Sequence, residues 1–170
     1  MDDKAQLQTL EGLGAALLIT MTVLIITQSS TVMTPQNEMM LDVQLEQMSY
    51  DTLTLLDVAP SYAIGANLTE CVSGWDMKDA TIGNSTLPLL DSELSLLLPG
   101  LLYNVNISYV QNGNLITNNT ILHGYPTEDA AVARRTVMLT NSTVAAANGK
   151  WSLASDELQM VEVRLTVWQV

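Results

Sequence analysis

Sixteen consecutive residues, Gly12 to Thr27, carry no charge. The run reads GLGAALLITMTVLIIT, and its only polar side chains are the hydroxyls of Thr20, Thr22 and Thr27. In a helix such hydroxyls bond back to carbonyls one turn earlier, so they are tolerated there. At 1.5 Å per residue the run makes roughly 24 Å of helix, somewhat short of a hydrocarbon core of about 30 Å; Ser29 to Met33 lengthen it. It is apolar on every side and lacks the single stripe of an ordinary core helix. A cleaved secretory signal peptide would need a basic head and a small-x-small site. Here the head is acidic on balance, and Thr27-Gln28-Ser29 is the best such site. The expectation is a head at residues 1–11 followed by a transmembrane or filament-core helix at 12–34.

Residues 35–60 read as an amphipathic continuation of that helix. Leu41, Leu45, Met48 and Leu55, with Met40, Leu53 and Leu56 beside them, form the apolar side, and Asp42, Gln44, Glu46 and Gln47 the polar one. Pro35 is expected to kink or interrupt the helix and Pro60 to end it. Met33, Met39, Met40 and Met48 are read as flexible gap-fillers rather than soft-metal ligands. Beyond Pro60 the period changes to two. Tyr103, Val105, Ile107 and Tyr109 alternate with Asn104, Asn106 and Ser108, Asn112-Gly113 signals a hairpin turn, and Leu115 to Leu122 returns. Thr136 to Thr140 predicts another strand, and Val161, Val163, Leu165 and Val167 a last one; Pro88 to Leu98 predicts a short helix or an apolar loop. The expected class is α+β: a long N-terminal helix packed on a small antiparallel sheet, with residues 61–170 as the β-rich domain.

Charge narrows the function. With 6 Lys and Arg against 18 Asp and Glu, the 170-residue chain carries −12. That is the wrong sign for phosphate backbones and for docking on anionic lipid, so nucleic acid is excluded as a partner. The single cysteine, Cys71, permits no intrachain disulfide, and no second ligand stands at helical spacing from the single histidine, His123. No phosphate loop, nucleophile elbow or His-Glu-x-x-His occurs, so no catalytic residue, metal ligand or cofactor is implied. Glu128-Asp129 and Asp156-Glu157 lack the ligand alternation of an EF-hand loop. Arg134-Arg135 reads as neutralising acidic neighbours.

Lys4-Ala5-Gln6 followed by Leu10-Glu11-Gly12 and an apolar helix resembles the class III signal peptide of archaeal type IV pilin-like proteins. The resemblance implies cleavage between Ala5 and Gln6 by a prepilin peptidase. Glu11 would then be the sixth residue of the mature chain, where many pilins and archaellins have glutamate fifth. It further implies a role for Glu11 in assembly, facing the freed α-amino group of a neighbouring copy; in a solitary anchor it would sit at the interface. The Gly124-Tyr125-Pro126-Thr127-Glu128-Asp129-Ala130 segment leading to Arg135-Thr136-Val137, the Tyr103-Asn104-Val105 patch and the terminal Val163 to Trp168 are similar to the ectodomains of an uncharacterised pilin-like group from haloarchaea and methanogens.

Five Asn-x-Ser/Thr triplets begin at Asn67, Asn84, Asn106, Asn118 and Asn141. Chance placement of 11 Asn among 30 Ser and Thr gives about two. They are read as glycosylation sites on an extracellular domain, or as ordinary Asn/Thr-rich turns and strands. Together these readings predict a structural subunit of an extracellular type IV pilus-like filament, partnered by copies of itself or by other pilin-like subunits. The alternative is a solitary single-pass membrane-anchored ectodomain with a binding or envelope role.

Overall fold

The computed structural model describes the backbone of residues 3–29, 35–58, 60 and 66–169, and the side chains of 11–25, 42–58, 60 and 66–169. Helix α1 is Asp3–Ser29 and α2 is Pro35–Val58. The chain divides into two compact units, Met1–Met39 and Met40–Val170.

In the first unit the apolar run is helical as its composition demands. The Thr20 and Thr22 hydroxyls each donate to the carbonyl one turn back, Ala16 and Leu18, at 2.7 Å. Leu13, Leu17, Leu18, Ile19 and Met21 are all exposed. At 100° per residue these positions surround the helix axis, so no single stripe exists to lay on a sheet. Among the described residues no helix is long and apolar enough to cross a membrane. The described side chains of α1, 11–25, span roughly 22 Å at helical rise. The expected transmembrane helix is thereby corrected, and the membrane-anchored, outward-facing location inferred from it falls as well. Pro35, expected to kink or interrupt the helix, is the first residue of α2, where a missing N–H disturbs no intrahelical bond.

The second unit holds the sheet. Strands β1 (Leu102–Gln111), β2 (Asn114–Leu122), β3 (Ala131–Thr140) and β4 (Leu158–Trp168) are all antiparallel in the order β2-β1-β4-β3. The hairpin forms where the alternation and Asn112-Gly113 place it. Both turn residues have positive φ, 53° and 79°, matching the right-handed twist of the flanking strands. The register slips once, between Val105 and Asn106. The C-terminal strand β4 is central, bonded to β1 on one side and β3 on the other.

Short helices α3 (Leu68–Ser73), α4 (Pro88–Leu97) and α5 (Asn141–Ala146) complete the unit. One face of the sheet presents Tyr103, Val105, Ile107, Val161, Val163 and Leu165 to the core, where they meet Leu68, Val72, Leu90 and Leu94 from the helices. Trp75 is wholly buried beside Trp151 and Tyr109, at ring-centroid distances of 5.6 and 6.2 Å. Both of these indole N–H groups keep an acceptor: Trp75 the Lys78 carbonyl and the Thr86 hydroxyl, Trp151 the Val72 carbonyl.

The fold is α+β with a four-stranded antiparallel sheet, but the expected long N-terminal helix packed on that sheet is not its architecture. α1 and the sheet belong to different compact units. Among the described residues before Pro60, the apolar side chains in the core are Leu53 and Leu56, near the end of α2, with the partly buried Leu45 packed against it. The inward side of α2 also differs from the expected stripe. It carries Ser49 and Thr52, both buried, while Met48 and Leu55 are exposed. The Ser49 hydroxyl donates to the Leu45 carbonyl at 2.7 Å, which lets a polar residue occupy a core position.

Candidate functional site

Glu11 opens the described side chains of α1 and is exposed, the only charged residue from 11 to 25. The side chains of Ala5 and Gln6, the expected processing site, lie outside the described residues.

A second surface is the sheet face turned away from the core. Four exposed apolar side chains form a row across all four strands: Leu115 opposite Val110, and Met160 opposite Met138. Tyr109 pairs with Val161, which sets Val110 beside Met160 and joins the two halves; Leu158 adjoins on β4. The next row is polar. Ser108 and Thr117 share a hydroxyl hydrogen bond of 2.8 Å, and Glu162 faces both Ser108 and Thr136. Arg164 and Arg134 follow as direct cross-strand neighbours. Like charges so placed repel, and the nearest carboxylate to Arg134 is Glu162, at 4.0 Å. At the far end the face is covered, with Asn104, Thr166 and Trp168 buried.

The one histidine lies in a polar cluster. The His123 Nε2 is 2.9 Å from Asp91 Oδ1, and the Tyr103 hydroxyl is 2.8 Å from the same oxygen, with the two rings edge to face at 4.6 Å. Asn104 completes it by accepting from the His123 backbone N–H and donating to the Gly124 carbonyl. Burial, then the hydrogen bond to Asp91 and its charge, hold the Tyr103 phenol well above its usual ionisation range. Among the described residues no hydroxyl or thiol bonds to the imidazole, so a Ser-His-Asp arrangement is not assembled. The cluster fastens α4 to the end of the β1–β2 hairpin.

The five sequon asparagines are dispersed. Asn84 and Asn141 are exposed. Asn67 is the N-cap of α3: its side chain accepts from the Glu70 N–H at 2.9 Å while Glu70 accepts from the Asn67 N–H. The Asn106 amide donates to the Asn119 side chain, and that of Asn118 to Asp79 at 3.1 Å. Helices α3 and α5 went unforeseen, although Asn67-x-x-Glu70 and Thr140-x-x-Thr143 each close a capping box and are the local signals that could have found them. Between these helices lies a depression of about 500 Å³, lined by Asn67, Glu70, Cys71, Leu89 and Ala147 among others. Among the described residues no three His, Cys, Asp or Glu side chains are grouped to hold a metal. Glu128-Asp129 and Asp156-Glu157 are exposed and lie outside the strands and helices.

Residues 4–167 match the model of a family of unknown function, DUF7288. The chain belongs to this family. A relative from Archaeoglobus fulgidus, described as an uncharacterized protein, is 32% identical over 176 residues, covering 99% of this chain and 94% of the relative. No solved structure matches. The family match runs from within α1 to within β4 and so spans both the apolar helix and the sheet.

Proposed function

We propose that the chain is a structural subunit of a pilus-like filament, in which the apolar N-terminal helices of successive copies pack against one another. The observation that carries this reading is α1 itself. Large apolar side chains stand exposed on every side of it, and exposed apolar surface of that extent marks an interaction site. Lys4-Ala5-Gln6 ahead of Glu11 supports it, and processing between Ala5 and Gln6 would leave the helix at the start of the mature chain. The family match over residues 4–167 supports it too, because it spans both the helix and the sheet.

The test is the assembly state of the full-length chain, by sedimentation and negative-stain microscopy, against Leu17→Asp/Leu18→Asp. Expected are polymers for the native chain and monomers with an unchanged sheet spectrum for the variant. A native chain that stays monomeric, or a variant that still polymerises, refutes the reading.

A further inference from the structure

We infer that the outer face of the sheet docks α1 of a second copy, with Glu11 of that copy seated on Arg134 and Arg164. The inference rests on the filament reading above and names the surface its helix meets. A helix apolar all round needs cover on more than one side. Helix-to-helix packing provides some of it, and the exposed row of Leu115, Val110, Met160 and Met138 is an apolar surface of matching character in the same chain.

Charge decides the occupant. The chain has three times as many acidic as basic residues, yet two arginines are set side by side on this face. Among the described residues Arg164 forms no ion pair, and Arg134 reaches only Glu162, at 4.0 Å. A carboxylate arriving from outside relieves their repulsion. Glu11 is the one charge on the described side chains of α1, at their N-terminal end.

The spacing agrees. Glu11 and Leu18 are seven residues apart and share a helix face, roughly 10 Å along the axis. Arg164 and Met160 share a strand face roughly 13 Å apart, a difference that the long arginine side chain closes. Ala15, between Glu11 and Leu18 on that face, would cross the polar row of Ser108, Glu162 and Thr136 with only a methyl group. A contact between two different surfaces of one chain is heterologous, and heterologous contacts that do not close extend into filaments.

Two full-length chains are mixed, both carrying Cys71→Ala, one with Leu18→Cys and the other with Met160→Cys, and polymerised before treatment with a short bis-maleimide. The expected product is the mixed dimer. Its yield falls about tenfold, as for 1.4 kcal/mol lost at the contact, when the Met160→Cys chain also carries Arg134→Glu/Arg164→Glu. It returns when Glu11→Arg is added to the Leu18→Cys chain. Polymers in which Leu18→Cys chains link only to one another overturn the inference and leave the filament reading standing. So does a mixed dimer indifferent to the charge reversals. A chain that forms no polymer refutes the filament reading, and this inference with it.

Discussion

Asp57, one residue from the end of α2, and Arg135, on the core-facing side of β3, are joined through one carboxylate oxygen. The Arg135 Nε and Nη2 lie 2.8 and 2.7 Å from Asp57 Oδ2. Both side chains are about three-quarters buried, so the pair is shielded from water more than a surface bridge is. It ties the segment carrying Leu53 and Leu56 to the sheet. Arg135→Ala is expected to destabilise the second unit by about 1–2 kcal/mol, above the usual value for an exposed pair and below that for a fully buried charge. Denaturant unfolding of Arg135→Ala, Asp57→Ala and the double variant would check it. The double variant should lose less than the two single losses combined.

Cys71 is buried, with its Sγ 3.8 Å from the Ala66 carbonyl oxygen. Burial, and then the charges of Glu93 and Glu70, push its thiol up to about 11. At pH 8 the thiolate fraction is then on the order of a hundredfold below that of a free cysteine. Reaction with a thiol reagent is expected to be slow in the native chain and fast in denaturant, as followed by absorbance. The folded value lies above the unfolded one, so the associated stability is complete below the ordinary thiol range. It declines as the pH rises toward 11.

A Cβ at Gly149 would fall far inside van der Waals contact distance of the Ser73 carbonyl oxygen. The backbone there is also held by the Gly149 N–H bond to the Val144 carbonyl, 3.0 Å, and the neighbouring Lys150 N–H bond to Trp75, 3.2 Å. Gly149→Ala should cost about 3 kcal/mol, the upper end of overpacking. Gly113 has open space around it and only a φ of 79° to satisfy. Gly113→Ala should cost about 1 kcal/mol. Thermal melts of the two variants separate a steric requirement from a conformational one.

The hairpin and the C-terminal strand were legible because each states one signal repeatedly: period-two alternation, then Asn112-Gly113. Strand β3 begins at Ala131, five residues before the expected Thr136. Small Ala131 and Ala133 and the charged Arg134-Arg135 hide its alternation, although Ala133 is buried and Arg135 faces Asp57. The face of α2 was misread because hydropathy takes Ser49 and Thr52 for solvent-facing residues. A hydroxyl satisfied by its own helix is a small, nearly apolar core residue. The partner of His123 was not legible at all: Asp91 is 32 positions away, and only the packing of α4 on the hairpin brings the two together. In the candidate docking surface each strand's outward residues can be read singly. The row they form depends on the order β2-β1-β4-β3, which local pattern does not specify.

The Tyr103 hydroxyl and the His123 Nε2 meet on one carboxylate oxygen of Asp91. Tyr103→Phe keeps the ring, its packing and its edge-to-face contact with His123, and removes only the hydrogen bond to Asp91. The expected loss at pH 7 is about 1 kcal/mol, with His123 still paired to the carboxylate. The sign with pH follows from the raised phenol. In the native chain it stays protonated where an unfolded tyrosine, near 10, has begun to ionise. Its contribution is therefore complete below pH 10 and is lost as the pH rises beyond it. Tyr109 is also raised, by burial and by Asp79, and with Cys71 it is common to both chains. Urea unfolding at pH 8 and pH 11 should show the native chain losing more stability between the two than Tyr103→Phe does. Equal losses would mean that the hydroxyl ionises in the folded state and that the cluster does not hold the phenol protonated.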